Sequence, residues 1–449
     1  MSSRNFIEGF SKLTDSEKLK IISVLTNDPA GFLADVKKHR HPDHKVQDIY
    51  SSLSENTLTN YFLPFGVAPN FLINGRLYHV PMVIEESSVV AATSAAAKFW
   101  YDKGGFLTRI TGCIKQGQIH FFWKGEPLDL ERFLDKKSSQ LKQGLQSLTH
   151  SMEKRGGGVK DIRLLHLPSI RDDYYQLDVR FDTVDSMGAN FINACLESLS
   201  RLWKSSIEAE VSFSVESRKC DILMSILTNY TPECLVECRV TTDVSNFSDT
   251  VPGYSAEAFV QRFSNALKIA RTDVNRAVTH NKGIFNGIDA VIVATGNDFR
   301  AVEANGHAYA ARDGHYRGLT EVYVSKGRFE YRLILPLALG TVGGVTGIHP
   351  MVKHALSILG HPSARELMQI VAAAGLASNF SAVRSLISTG IQTGHMKLHL
   401  SNILAQLEAT PEEIKSINEH LRGRTVTYST VKEIIVSLRS QQHEKGIQG

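Results

Sequence analysis

The sequence predicts an α+β fold: a large, mainly helical domain, a smaller ferredoxin-like domain inserted into it, and a C-terminal helical segment. Three observations carry this. Between roughly Gly117 and Glu216, alternating runs and amphipathic stretches follow the order β-α-β-β-α-β. On either side lie Ala-rich helical stretches, Ser87 to about Tyr101 and Leu356 to Ile387, whose small side chains suit close helix packing at the centre of a domain. Roughly the last fifty residues read as amphipathic helices, one opening at Thr410-Pro411-Glu412-Glu413 and another near Thr430. The expected boundaries are 1–115 with 218–389 for the large domain, 116–217 for the small one and 390–449 for the C-terminal one.

The totals fit. A chain of 449 residues with 42% hydrophobic and 21% charged residues has room for two or three domains and a large core. A net charge of +4 without a dense Lys/Arg block argues against nucleic acid and suits a polyanionic ligand. Cys113, Cys195, Cys220, Cys234 and Cys238 are an odd count with no C-x-x-C pair, the pattern of reduced thiols in a cytoplasmic protein. Met1 to Phe10 has no apolar signal core and no 18 apolar residues run uninterrupted, so neither secretion nor a membrane is expected.

Taken in order, Thr14 and Glu17 are spaced as a capping box for a helix that stops by Asn27-Asp28-Pro29. His39, His41, Asp43 and His44 crowd a loop around Pro42, but their spacing matches no closed metal site and no metal is expected. Asn70, Gly75 and Arg76 with the alternating Leu77, His79 and Val80 suggest a hairpin that delivers Glu85 and Glu86 to the helix at Ser87. Glu86 at that helix mouth is either a dipole partner or a carboxyl buried enough to hold a proton.

In the small domain the strands are expected at Ile119-Phe121-Trp123, Asp161 to Leu167, Leu177-Val179-Phe181 and Val211-Phe213-Val215. Its helices are expected over Leu130 to Lys154 and Met187 to Trp203, the first broken by Gly156-Gly157-Gly158. The turn Asp185-Ser186-Met187-Gly188-Ala189-Asn190 is either a plain cap or a place where a pyrophosphate meets free backbone N–H groups. No G-x-G-x-x-G follows a strand, so a Rossmann site is not supported.

Ser255 caps a helix carrying Phe259, Phe263, Leu267 and Ala270 and expected to end at Arg276. Next come a Gly-interrupted turn with Lys282 and Asn286, a buried strand over Ala290 to Ala294, and a helix opening at Asn297-Asp298. Lys282 and Asp298 can face one spot, holding a cation beside a reacting oxygen; singly they read as a surface lysine and an N-cap. Thr320 to Leu335 is a hairpin turning at Ser325-Lys326-Gly327, and Gly340, Gly343, Gly344 and Gly347 form a turn suited to lining a ligand. His395 and His399 have zincin spacing, but Met396 replaces the required glutamate, so no zinc protease is expected.

Four motifs in order, Glu86-Ser87-Ser88, Asp185 to Asn190, Asn281-Lys282-Gly283-Ile284 with Ala294 to Asp298, and Gly394-His395-Met396, resemble 3-hydroxy-3-methylglutaryl-CoA (HMG-CoA) reductase of the class II, bacterial form. The resemblance runs from about Glu55 to His399. It implies reduction of HMG-CoA to mevalonate and CoA with two NAD(P)H, or the reverse oxidation, through a thiohemiacetal and mevaldehyde. Lys282 would hold the oxyanion with Asp298 tuning it, Glu86 would donate a proton in the aldehyde step, and His395 would protonate the CoA thiolate. Arg276 would pair with the substrate's free carboxylate, with Ser88, Asn286 and His399 also on the substrate. Asp185, Met187, Gly188, Ala189 and Asn190 would bind the dinucleotide. Asp161 would face its ribose, favouring NADH, with Lys160 and Arg163 leaving NADPH possible. The relatives' arginine on CoA phosphate is absent, and Lys12 in Phe10-Ser11-Lys12-Leu13 stands in its place. The resemblance also implies a mobile flap hinged near Gly390 or Gly394, and a homodimer, or a multiple of dimers, with sites between subunits. The competing readings are a silent CoA- or nucleotide-binding protein of the same fold and an acyl-CoA or aldehyde reductase of another family. The residues serve both directions and do not tell synthesis from degradation of mevalonate.

Overall fold

The computed structural model describes residues 6–248, 250–251, 253–388, 400, 403–404, 406–421 and 427–447. Three helices lead in, α1 (Asp15–Ser23), α2 (Pro29–Lys38) and α3 (His44–Ser52). The first opens with the expected capping box: the Glu17 N–H donates to Thr14 Oγ1 at 3.3 Å and the Thr14 N–H to Glu17 Oε2 at 2.8 Å. A hairpin of β1 (Phe65–Ile73) and β2 (Arg76–Val83) turns on Asn74 and Gly75, both at positive φ as a two-residue hairpin turn requires. It feeds α4 (Ser87–Tyr101), which has the expected bounds, and the short strand β3 (Leu107–Ile110) follows.

The inserted unit comprises β4 (Lys115–Trp123), α5 (Pro127–Gly144), α6 (Gln146–Glu153), β5 (Gly158–His166), β6 (Tyr174–Asp182), α7 (Ala189–Glu208) and β7 (Cys220–Leu227). Its antiparallel sheet has the order β5-β6-β4-β7, the ferredoxin-like arrangement that the sequence pattern predicts. Two details differ from expectation. The helix read as Leu130 to Lys154 is two helices meeting at Leu145. The fourth strand is not at Val211 to Val215, where Val211 and Val215 are 81% and 78% exposed and only Phe213 turns inward, onto Trp123 and Phe133. The edge beside β4 is taken by Cys220–Leu227, so this sheet extends beyond the boundary expected at 217.

The larger unit resumes with β8 (Leu235–Asp243), α8 (Ala256–Thr272), α9 (Val274–Ala294), α10 (Phe299–Ala310), β9 (Thr320–Ser325), β10 (Arg328–Pro336), α11 (Val345–Ile348), α12 (Pro350–Ile358) and α13 (Ala364–Ile387). Its antiparallel sheet, β3-β8-β10-β9, includes two strands, β3 and β8, that the periodicity did not mark. The expected hairpin turn at Lys326-Gly327 is present, both residues at positive φ. The helical stretch read from Leu356 to Ile387 is interrupted at Gly360 and His361, both also at positive φ.

The segment around Lys282 is corrected most. Gly283 and Gly287 make no turn, and Ala290 to Ala294 is no strand: all lie in the single helix α9. Gly287 serves contact, not bending. A Cβ on Gly287 would stand 2.5 Å from Ala374 O and 2.7 Å from Ser378 Cβ, so its absence lets α9 lie against α13. Ser378 Oγ donates to Gly283 O at 2.9 Å and Asn379 Nδ2 to His280 O at 2.9 Å, stitching the two helices. Nor does α8 reach Arg276; it ends at Thr272, and Asp273 caps α9, so Arg276 lies in the first turn of α9 and cannot serve as a C-terminal dipole partner.

The helix α13 is the spine of the core, packed against α9, α4 and β8. Among the described residues it is the one helix long and apolar enough to cross a membrane, yet 78% of its apolar window is buried inside the protein. Around one end Trp100, Phe247, Phe263, Phe329 and Phe380 form a stacked and edge-to-face aromatic cluster. Near the C-terminus, helices Pro411–His420 and Tyr428–Ile447 gather their own apolar cluster with Leu400, Ile403 and Leu404, and Arg439 Nε meets Glu413 Oε1 at 2.8 Å. His395, His399 and the hinge expected at Gly390 to Gly394 lie outside the described residues.

Candidate active site

A helix repeats every 3.6 residues, so Lys282, Asn286 and Asp289 form one stripe along α9. The stripe faces the entrance of α4, where β2 delivers Glu85 and Glu86. Lys282 Nζ donates to Glu86 Oε2 at 2.9 Å, Asn286 Nδ2 approaches the same oxygen at 3.5 Å, and Ser88 Oγ donates to Glu86 Oε1 at 3.2 Å. Three expected site residues thus converge on the carboxylate of a fourth. Lys282 is 63% exposed and Glu86 35% by side chain, so the pair is open to an arriving ligand.

Among the described residues of this chain Asp298 pairs with Arg300, and Lys282 with Glu86. Asp298 caps α10, its Oδ1 accepting from the N–H groups of Arg300 and Ala301, and its carboxylate is gripped by the Arg300 guanidinium at 3.1 and 3.2 Å. Burial works against its charge, but Arg300 and those N–H groups hold its carboxyl below the ordinary range. The preceding Asn297 accepts from the Gly340 N–H at 2.8 Å. The segment of Gly340 in turn abuts the Asp185 to Asn190 turn, where a Cβ on Gly340 would stand 2.2 Å from Met187 N. This contact brings the two motifs, distant in sequence, side by side.

That turn has the features of an anion cradle. Gly188, at φ 88°, is the N-cap of α7 with no side-chain cap, and a Cβ there would meet Thr183 at 2.5 Å. Met187 and Ala189 are half-buried and Asn190 is exposed on the first turn of α7. Asp185 turns elsewhere: its Oδ1 accepts the first N–H of α13, from Ala364, at 2.8 Å. Asp161 sits on β5 with Arg163 Nε at 2.6 Å from its Oδ2, and that hydrogen bond holds its carboxyl below the ordinary range. Lys12 ends an exposed 3₁₀ turn, Phe10–Lys12. Arg276 lies about 120° around α9 from Lys282, beside His280 and Tyr331, so this chain does not bring it to the Glu86–Lys282 pair.

Sequence reasoning missed Asp289. Burial first, then the charge of and hydrogen bond with Glu303, and then the charge of Glu85 push its carboxyl up to about 8. Its spacing from Lys282 and Asn286 was the available signal, hidden by reading a turn there. The sign follows from linkage. Between about pH 4 and 8 the folded chain holds a proton that the unfolded chain releases, so this group costs stability progressively as pH rises. Asp289→Asn is therefore expected to flatten the dependence of urea stability on pH from 5 to 8 and to gain most over the parent at pH 8; parallel curves for the two proteins would refute this.

Comparison with known proteins gives this arrangement its family. Residues 17–400 match the family described as hydroxymethylglutaryl-coenzyme A reductase. The chain belongs to that family. The 3-hydroxy-3-methylglutaryl-coenzyme A reductase of Archaeoglobus fulgidus is 35% identical over 442 residues, 98% of this chain and 96% of that one. The solved 3-hydroxy-3-methylglutaryl-coenzyme A reductase of Streptococcus pneumoniae superposes with a TM-score of 0.71 at 34% identity, covering 96% of this chain and 99% of that one. A second structure, described as the class II enzyme of that organism bound to NADPH in open conformations, gives 0.70 at 34% identity over 85% of this chain and 99% of that one. The class II HMG-CoA reductase resemblance read from the motifs thus holds across the fold.

Proposed function

We propose that the chain reduces HMG-CoA to mevalonate and CoA with two equivalents of NAD(P)H. The convergence of Lys282, Asn286 and Ser88 on Glu86 carries the reading, since it joins an ammonium, a carboxyl and two hydrogen-bonding groups at an open site. When bound, the reduced nicotinamide supplies the hydride, and two are needed to take a thioester to an alcohol. The protein does the rest. Lys282 places positive charge where the carbonyl oxygen gains negative charge, Glu86 holds the proton for the second alkoxide, and Asp298 with Arg300 fixes the α10 entrance. His395 protonates the departing thiolate, an imidazole suiting a proton transfer near neutral pH. The direct test is NAD(P)H consumption with HMG-CoA and detection of mevalonate; binding without turnover would favour the silent reading instead.

A cavity of about 710 Å³, walled by residues between Tyr50 and Phe65, by Val83, by Val293, Ala294 and Gly296 and by Val345 to Val352, suits the arm of CoA, and Lys12 is the candidate for its phosphates. The unit carrying β4 to β7 binds the dinucleotide on the Gly188 cradle, and the flap beyond 390 closes over both ligands. Arg276, turned away from Lys282 within one chain, reaches substrate across a homodimer, with the site completed between subunits. All five cysteines are free thiols, in keeping with a cytoplasmic setting.

Asp161 accepts from the adenosine ribose and disfavours a 2′-phosphate, so NADH is the preferred donor. Asp161→Ala is expected to raise the NADPH-to-NADH ratio of kcat/KM about tenfold, the scale of one lost charged contact. An unchanged ratio would remove Asp161 from cofactor choice.

A further inference from the structure

Lys115 is a lysine on the wrong face of a strand. It opens β4 in phase with Gly117, Ile119, Phe121 and Trp123, the buried side, and is only 5% exposed. Its ammonium donates to Thr183 Oγ1 at 2.6 Å, to Ser186 O at 2.7 Å and to Leu339 O at 3.4 Å. All three acceptors are uncharged, and the carboxylates of Asp182 and Asp185 act on the ammonium through space without a hydrogen bond to it among the described residues. An ammonium removed from water with only neutral hydrogen-bond partners is costly, and apolar side chains would fill the same space more cheaply.

The acceptors explain where that charge acts. Thr183 and Ser186 bracket the turn into α7, while Leu339 belongs to the segment whose Gly340 N–H bonds Asn297. The Thr341 N–H donates to Asp185 O at 2.8 Å, and Ser186 bridges Val342, so the turn and the segment run together with Lys115 behind both. Within the turn Val184 is held at φ 50°, a left-handed conformation that a β-branched residue adopts only under constraint.

We propose that Lys115 is a positioning residue for the dinucleotide. It pins the cradle turn, residues 183–188, to the 337–341 segment, setting the bound cofactor against Asn297 and Asp298, and its charge adds to the anion-attracting end of α7. This rests on the reading of that turn as the cofactor cradle. Lys115→Met keeps the length and suits the buried site, removing only the charge and the three hydrogen bonds. It is expected to raise the KM for NADH and the Kd from NADH fluorescence titration about tenfold or more, with the KM for HMG-CoA within twofold. A general packing defect would move both KM values together, and that result, or no change in either, overturns the proposal. If Lys115→Met does not fold, Thr183→Val removes one acceptor of the ammonium together with the hydroxyl's own bond to Ser186 O, and is expected to raise the NADH Kd two- to threefold; an unchanged Kd counts against the proposal. Gly188→Val separates the two readings. If it weakens NADH while Lys115→Met does not, the cradle stands and the role of Lys115 falls; if it leaves NADH binding untouched, the cradle falls and the proposal with it.

Discussion

Lys282→Ala is expected to lower kcat with HMG-CoA by about 10³-fold while leaving the urea midpoint almost unmoved. Removing one preorganised group that meets a developing oxyanion costs roughly 10²- to 10³-fold, and here the group lost also carries a full charge. The charge is lost from the pair, too. Glu86 loses the 2.9 Å contact with the ammonium and retains the 3.5 Å approach of Asn286 and the Ser88 hydroxyl, so its carboxylate is less well held for proton transfer. Stability is insulated, because Lys282 is 63% exposed and an exposed ion pair contributes about 0–1 kcal/mol. Single-turnover rates with NADH and HMG-CoA separate chemistry from product release. Parental rates in the variant would refute the role assigned to this lysine.

Gly287→Val, one turn and a half along the same helix, is expected to destabilise the chain by about 3 kcal/mol, whereas Gly283→Ala is expected to be neutral or to stabilise by up to ~1 kcal/mol. The two glycines differ in what stands opposite them. At Gly287 a Cβ would be 2.5 Å from the Ala374 carbonyl oxygen, backbone of α13 that cannot swing aside, and overpacking of this kind costs roughly 1–3 kcal/mol or more. At Gly283 the nearest atom is Asn379 Nδ2 at 3.4 Å, an ordinary contact, so alanine's better helix propensity is free to show. Urea unfolding of both variants at fixed pH checks the contrast. Equal losses at the two positions would mean that close approach to α13 is not what Gly287 provides. Because α9 carries Lys282, Gly287→Val is also expected to lower kcat beyond its effect on stability.

What the sequence revealed depended on how local the signal was. The capping box at Thr14, the hairpin around Gly75 and Arg76, the bounds of α4 and the first three strands of the small unit all rest on neighbouring residues, and all are present. The segment around Lys282 misled because glycine has two uses, bending a chain and letting two helices touch, and only the partner helix, almost a hundred residues on, decides between them. The Val211 to Val215 alternation misled because period two marks a strand only if an open edge receives it, and Cys220–Leu227 had taken that edge. At the site, the motifs located Glu86, Ser88, Lys282 and Asn286, which do meet. They paired Lys282 with Asp298, yet Arg300 was two residues from that carboxylate all along. Asp289 and Lys115 could have been noticed from phase alone: the first continues the stripe of Lys282, the second shares the parity of Ile119 and Phe121.

The threading of α13 also governs how the protein is made. Ser381 Oγ reaches Ala92 O at 2.7 Å across a separation of 289 residues, so α4 and α9 have no spine to lie on until nearly the whole chain has been synthesised. At about 5–20 residues per second, α4 waits roughly 15–60 s after leaving the ribosome. The inserted sheet, built from one continuous stretch, faces no such delay and can complete itself while its host is still unfinished. A stalled nascent chain ending before residue 364 should therefore carry a protease-resistant fragment spanning β4 to β7, flanked by polypeptide that a chaperone can still grasp.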